Sequence, residues 1–312
     1  MRWRQRLQTE SWPPSGLHER GGRGQDLREK ISGILLGAAV LVLLVGIGMK
    51  PADRDSDAEK EQKDVTGCIR LAGSSSMEHY VSALAEGFME KYPDVTVTVE
   101  YTGSGAGIAA VTEVSVEIGI SSRYLAEEEK DRGLAENIVG LDGIAVCVDV
   151  ANPVRELTRQ ELADIYRGKI RNWAQAGGEN IPIVVIGREA GSGTRQAFEE
   201  FLESVDICTY VNELDSTGAV AARVSSTPGA IGYVSFDTLD RTQPKIAALS
   251  LDGVKPSAEN IVSGSYPLYR PFIMVTKGEV SGQNSLVQLW FSYVYGEEGR
   301  LAAEMADVLV IR

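Results

Sequence analysis

From residue 69 onward, short apolar and β-branched runs alternate with longer stretches in which apolar residues recur every third or fourth position. The first pattern predicts buried strands and the second amphipathic helices, so an α/β sheet protein is expected. Residues 69–72 read as a strand. Ser76 is expected to cap a helix whose apolar positions Val81, Leu84, Ala85, Phe88 and Met89 share a face and which ends near Tyr92-Pro93. Residues 95–101 alternate and are β-branched, which predicts the next strand. A glycine-rich turn then opens a short helix running to Val111, followed by a strand over 118–120. Residues 138–141 and 144–148 are expected as two further strands.

A second lobe is expected to begin near Val148. Thr158 followed by Glu161 is a capping-box pattern, with Leu162, Ile165 and Tyr166 on the buried face of the helix it opens. A strand over 183–186, a second glycine-rich turn and a helix bearing Phe198, Phe201 and Leu202 come next. After a strand at 231–234 the chain is expected to return to the first lobe. A final clear helix carries Leu286, Leu289, Trp290 and Tyr293. The expected division is 68–146 with 235–312 in one lobe and 147–234 in the other. No repeat of solenoid length is visible.

The region before residue 69 has a different character. Residues 31–49 form an uncharged apolar run close to the length of about 20 residues that spans a bilayer as a helix. Segment 1–30 is basic, with Arg2, Arg4, Arg6, Arg28 and Lys30 among its cations, and segment 50–67 is charged and without apolar periodicity. The positive-inside tendency places residues 1–30 in the cytoplasm, residues 31–49 in the membrane and the remainder outside, with 50–67 as a solvated linker. An uncleaved anchor and a cleaved signal peptide are both compatible with this run; no clear A-x-A site follows it. The sequence Val65-Thr66-Gly67-Cys68 looks like a lipoprotein box but stands well beyond the apolar run, and Cys68 reads better as a strand start.

Charge changes the picture of the partners. The chain carries a formal net charge of −13, and it is uneven: residues 1–50 hold 8 Lys/Arg against 4 Asp/Glu, the rest 23 against 40. A surface of that sign repels nucleic acid, and any small anion must be held by local geometry against the net field. Cys68, Cys147 and Cys208 show no CxxC spacing and are odd in number, which implies neither a disulfide framework nor a metal knuckle. With only His18 and His79, histidine-based zinc sites and histidine-dependent triads are disfavoured. His79 itself reads as an exposed residue of a helix's first turn, and Trp173 and Trp290 as packing residues.

The candidate chemistry lies in three turns of similar construction: Gly73-Ser74-Ser75-Ser76, Gly103-Ser104-Gly105-Ala106-Gly107 and Gly191-Ser192-Gly193-Thr194. Each follows an expected strand and opens an expected helix. A helix N-terminus leaves N–H groups unpaired and carries partial positive charge, which suits an anion. Glycine admits a ligand close to the backbone, and Ser and Thr add hydroxyl donors. Taken singly, each turn is also ordinary helix punctuation. Arg188, just ahead of the third turn, offers a fixed fork of donors for a phosphate-like group. None of the turns ends in GK[ST], so a Walker A nucleotide site is disfavoured.

The stretches IRLAGSSSM, YTGSGAGIAAV, IGISSRYL, LDGIAVCVDVANPV, IGREAGSGTRQAF, STPGAIGYVSF and YPLYRPFIMVT, in that order, resemble the PstS family in its shorter form, the phosphate-binding proteins of ABC transporters. The resemblance implies a two-lobed, type II periplasmic-binding fold, with a central mixed sheet in each lobe and a two-segment hinge near 146–149 and 231–234. It implies capture of inorganic phosphate between the lobes and delivery to the permease subunits of an ABC transporter, by a monomer without cofactor, metal or catalysis. Carried over by position, Ser75, Ser76 and Met77 are expected to contact the anion from the first turn, Ser76 through its hydroxyl and Met77 through its N–H. Ser104 is expected from the second turn, Arg188 as the charged donor, and Ser192, Gly193 and Thr194 from the third.

One position departs from the pattern. Longer members of the family place an aspartate after the third strand to accept the proton of a protonated phosphate, which rejects sulfate. Here the nearest match is Ser122, with Asp142 as a candidate replacement acceptor or else a carboxylate satisfied by nearby backbone. Arg123 and Arg195 directly follow site segments, and each is either a further ligand contact or part of an ordinary ion pair. Binding of sulfate or molybdate, and a membrane-tethered phosphate sensor, stand as alternatives. An enzyme acting on phosphoesters lacks an obvious nucleophile–base pair.

Overall fold

The β-branched runs pair as strands, and the amphipathic stretches bury one face against the sheet they form. In a computed structural model describing residues 65–310, β1 (Gly67–Gly73), α1 (Glu78–Lys91), β2 (Val95–Glu100), α2 (Ser104–Thr112) and β3 (Ile118–Ser121) follow in order, with β1 parallel to both β2 and β3. After α3 (Glu127–Lys130) come β4 (Leu134–Asp149), β5 (Glu156–Leu157), α4 (Arg159–Tyr166), β6 (Val184–Arg188) and α5 (Gly193–Phe201). Next are β7 (Asn212–Leu214), α6 (Thr217–Ser226), β8 (Ala230–Ser235) and α7 (Phe236–Thr242). The chain continues through β9 (Ile246–Ala248), β10 (Ser250–Leu251), α8 (Ala258–Val262), β11 (Tyr269–Lys277), α9 (Ser285–Val294) and α10 (Glu297–Met305). Segment 1–30, the apolar run 31–49 and nearly all of the linker lie outside the described residues. Among the described residues no helix is long and apolar enough to cross a membrane.

Helix α1 shows how the pattern becomes packing. Val81, Leu84, Ala85 and Phe88 are buried as their spacing predicts, Met89 is partly buried, and Pro93 stops the helix just after Tyr92. The Phe88 ring meets Trp290 and Tyr293 edge-on, each at 5.2 Å between centroids. Full burial of such a side chain stabilises the fold by about 1.5–3 kcal/mol. The capping box at Thr158 forms as expected: its hydroxyl accepts from the Glu161 N–H at 3.1 Å, and the Glu161 carboxylate accepts from the Thr158 N–H at 2.8 Å.

The sheet order is β2-β1-β3-β11-β4-β8-β6-β7, and β4 is its backbone. Residues 134–143 of β4 pair antiparallel with β11, residues 144–148 with β8, and residues 147–149 with β9. The two strands expected at 138–141 and 144–148 are therefore one strand of 16 residues. Asp142-Gly143 has the look of a turn, but both residues are held in the extended chain by long-range partners. The Asp142 carboxylate binds Arg270 and the Phe236 N–H. At Gly143 the Phe236 ring lies so close that a Cβ would sit 2.3 Å from its edge.

Each part of the sheet carries its own core. Ile69, Leu71, Leu84, Phe88, Ile120, Met274 and Trp290 belong to the first. Leu162, Tyr166, Trp173, Phe198, Ile231 and Tyr233 belong to the second. Leu249, Leu251, Ile261, Tyr266 and Leu268 also pack in that second core. The chain thus returns to the first lobe at β11 and not at 235. Strand 231–234 is no crossing because β8 pairs on both sides, with β4 and β6, inside the second lobe. The two connections instead lie side by side at 143–144 and 268–269, where the Ile144 N–H donates to the Leu268 carbonyl at 3.0 Å.

Candidate anion-binding site

The first two glycine–serine turns and the end of β3 are tied into one surface of the first lobe. The Ser74 N–H donates to the Ile120 carbonyl at 2.8 Å, the Gly103 N–H to the Gly73 carbonyl at 2.8 Å, and the Ser122 N–H to Ser104 Oγ at 3.1 Å. The third turn reaches this surface from the second lobe. The Gly105 N–H donates to the Gly191 carbonyl at 2.9 Å. A Cβ on Gly193 would lie 2.6 Å from Ser104 Oγ and 2.8 Å from Ser122 Oγ, so the backbone at Gly193 rests directly against both serines. Only glycine permits that approach.

The three turns open their helices in different ways, and only the first departs from the expected cap. Ser192 caps α5, its hydroxyl accepting from the Arg195 N–H at 3.3 Å. Ser76 does not cap α1. It sits inside a single 3₁₀ turn, Ser75–Met77, that precedes the helix, and Met77 takes the cap position without a side-chain bond. The Met77 N–H donates to the Ser74 carbonyl at 3.2 Å and the side chain is fully buried in the first core, so its expected donor is already used. In α2 the cap is Gly103, and Ser104 is the first helical residue.

Four serine hydroxyls form a connected chain: Ser76 Oγ with Ser74 Oγ at 2.8 Å, Ser74 Oγ donating to Ser122 Oγ at 3.0 Å, and Ser122 Oγ with Ser104 Oγ at 3.2 Å. In the first and third turns, Ser75 Oγ and Thr194 Oγ1 are buried with no partner among the described residues. A buried hydroxyl without a hydrogen bond costs about 1–3 kcal/mol, so two such groups at facing turns mark a place built for something else to bond them.

Arg188 is only 1% exposed. Its Nε and Nη2 are held by the Glu189 carboxylate and by the Leu214 and Asp215 carbonyls at 2.9–3.1 Å. These bonds fix the guanidinium, and Nη1 has no hydrogen-bond partner among the described residues. A second cation is present that the sequence reading did not nominate. Arg270, at the start of β11, is 0% exposed; its Nη2 donates to Asp142 Oδ2 at 2.6 Å, while Nε and Nη1 are buried without partners. Burial lowers its pKa to about 10, with attraction to Asp142 opposing and repulsion from Arg188 assisting, so it stays cationic at neutral pH. Burial likewise pushes the Asp142 carboxyl up, against the pull of Arg270. Two buried guanidiniums that repel one another, each with unbonded N–H groups, form a local positive field inside an acidic domain.

The remaining candidates are committed elsewhere. Asp142 spends one carboxylate oxygen on Arg270 and the other on the Phe236 N–H at 3.3 Å, so it positions a cation and is not a free acceptor. Arg123 makes a two-pronged ion pair with Glu129, both bonds at 2.7 Å, and also donates to the Tyr124 carbonyl. Arg195 is bound to Glu199 and Glu213 and stacks over the Tyr210 ring. A signal for Arg270 was available: an arginine inside an apolar strand run, YRPFIMVT, needs a buried partner or ligand.

Residues 53–298 match the family model of a PBP superfamily domain. Over 276 residues the chain is 35% identical to the phosphate-binding protein PstS of Bacillus subtilis (strain 168), covering 87% of this chain and 90% of that one. The chain belongs to the PstS family. A solved structure from Clostridium perfringens, described as a phosphate ABC transporter substrate-binding protein with bound phosphate, is 36% identical and superposes with a TM-score of 0.74 over 79% of this chain and all of that one. An ABC-type phosphate transport receptor from Vibrio cholerae is 29% identical with a TM-score of 0.65, covering 78% of this chain and 100% of its own. The two-lobed type II fold expected of a PstS-family member is the fold observed.

Proposed function

We propose that this protein captures inorganic phosphate between its lobes and hands it to the membrane subunits of an ABC-type importer. The observation that carries the reading is a set of unbonded buried donors: Ser75 Oγ and Thr194 Oγ1 in the first and third turns, and two nitrogens of Arg270, which lies within electrostatic reach of Arg188. A tetrahedral oxyanion supplies acceptors in several directions at once and neutralises the paired guanidiniums. Helix-opening N–H groups of Gly193 and Thr194 add partial positive charge from the second lobe. Ser76, Ser104, Ser122, Ser192 and Arg188 are the remaining contacts of this reading. The Clostridium perfringens and Vibrio cholerae proteins are described as a substrate-binding protein and a receptor of phosphate transport, and this reading likewise has the ligand leave unchanged.

Closure fits the same reading. Gly191 and Gly193 of the second lobe touch Gly105, Ser104 and Ser122 of the first, across two adjacent chain crossings. An anion bonded from both sides stabilises that closed arrangement, and strands 143–144 and 268–269 are where backbone rotation opens it. The domain then works as a monomer on the outer side of the membrane, tethered by residues 31–49, with no cofactor. Isothermal titration of the full chain with phosphate, sulfate and molybdate tests the assignment. Saturable phosphate binding that falls by about 2–4 kcal/mol in Arg188→Ala is expected. A loss below about 0.5 kcal/mol, the level of a surface contact, places the site elsewhere.

A further inference from the structure

The serine cluster has a direction. Each hydroxyl has one proton to donate. Ser74 donates its proton to Ser122 at 3.0 Å, so the 2.8 Å contact between Ser74 and Ser76 must be donated by Ser76. That leaves Ser76 Oγ with lone pairs only. At the other end, Ser104 Oγ already accepts the Ser122 N–H, and one of the two hydroxyls Ser104 and Ser122 donates to the other at 3.2 Å. One proton is therefore left over on that side. The cluster presents one acceptor at Ser76 and one donor at Ser104 or Ser122, joined through buried hydrogen bonds that polarise each other in one sense.

We infer that Ser74 sets phosphate-over-sulfate selectivity by holding the Ser76 hydroxyl as an acceptor for the proton of a protonated phosphate. This rests on the phosphate reading above and deepens it. A carboxylate at the position of Ser122 would accept such a proton outright; here Ser122 is neutral, the candidate Asp142 is bonded to Arg270, and the Glu189 carboxylate is bonded to Arg188. The relay supplies an acceptor without adding a buried negative charge to an anion site. Phosphate and arsenate keep a proton at neutral pH and satisfy Ser76. Sulfate and selenate have none. They either face the Ser76 lone pairs or force Ser76 to turn its proton away from Ser74, and each outcome loses a buried hydrogen bond. Ser74 is a positioning residue in this scheme, 3% exposed, acting through Ser76.

Titration calorimetry of the native full chain and of Ser74→Ala against phosphate, arsenate, sulfate and selenate at neutral pH tests this. The native protein is expected to bind the two protonated anions at least about tenfold more tightly than the two proton-free ones. In Ser74→Ala the Ser76 proton is freed, so sulfate and selenate affinities rise about tenfold while phosphate and arsenate change by less than about threefold. Equal binding of phosphate and sulfate by the native protein overturns the relay and leaves the phosphate site standing, and this arm does not depend on the variant folding. A uniform loss across all four anions in Ser74→Ala shows that Ser74 only holds the turn. Failure of the native protein to bind any of the four overturns the phosphate reading itself.

Discussion

Arg270 and Asp142 meet at 2.6 Å with essentially no exposure on either side chain, at the point where β4 passes from one lobe to the other. The pair is unbalanced, because Arg270 keeps two buried N–H positions unbonded while both Asp142 oxygens are occupied. Charge and hydrogen-bonding capacity are therefore left over on the cationic side. An anion in the cleft would complete the set.

A denaturation comparison separates the two roles of this pair. Asp142→Asn leaves Arg270 as an uncompensated buried cation, and a stability loss of about 3–5 kcal/mol is expected in phosphate-free buffer. With saturating phosphate the loss should be clearly smaller, since the anion takes over as counter-ion. Arg270→Ala should lose both stability and phosphate affinity. Urea unfolding with and without phosphate reads both; equal losses of Asp142→Asn in the two conditions would mean that Arg270 does not face the anion.

Gly193 allows closure to be tested apart from folding. A methyl there would stand 2.6 Å from Ser104 Oγ and 3.0 Å from the Ser122 backbone, across the lobes. Within α5 itself alanine is the better helix former. Gly193→Ala is therefore expected to keep the ligand-free melting temperature within a degree or two while phosphate affinity falls by about tenfold or more, the effect of about 1.4 kcal/mol on closure. Unchanged affinity would show that the lobes need not approach this closely around the ligand.

Much of this arrangement can be read along the chain, and the remainder has an identifiable cause. The face of α1, the capping box at Thr158 and the burial of Trp173 and Trp290 are local matters of spacing and side-chain size, and they appear as expected. The three turns are legible because each is a short segment with its own chemistry. What escapes is long-range pairing. Asp142-Gly143 has the local composition of a turn and is extended only because Arg270, 128 residues away, and the Phe236 ring claim it. The same distance hides Arg270 as a site residue. His79, expected to be exposed, is half-buried for the same kind of reason, a partner 158 residues away.

Arg123 offers a contrast between proximity in sequence and role. Burial pushes the Glu129 carboxyl up, but the hydrogen bonds from Arg123 and the Ala126 N–H outweigh it, and its pKa ends below the ordinary value. A carboxyl lowered on folding contributes stability that is present above its unfolded value and is lost as pH falls through the folded one. Arg123→Ala should therefore cost about 1 kcal/mol near neutral pH, with the deficit shrinking as pH drops below the glutamate range. Phosphate affinity should change less than about threefold, far from the effect of Arg188→Ala. A large affinity loss on calorimetry would return Arg123 to the ligand.

His79 Nδ1 and Asp237 Oδ1 lie 2.7 Å apart, the first in α1 of the first lobe and the second in α7, which packs on β4, β8 and α6 of the second. This contact joins α1 to α7 outside the cluster of turns, and it is expected to break when the lobes open. Its side chains are 32% and 14% exposed, which places its strength near that of a partly screened surface pair, a few tenths to about 1 kcal/mol. Asp237→Asn is accordingly expected to speed phosphate release about two- to fivefold, with little effect on association, because the bond forms only after the lobes have met. Stopped-flow release into a phosphate trap reads the rate directly. The ligand-free melting temperature should hardly move, since each lobe keeps its own core. An unchanged release rate would mean that this contact persists in the open form and that α7 moves with the first lobe.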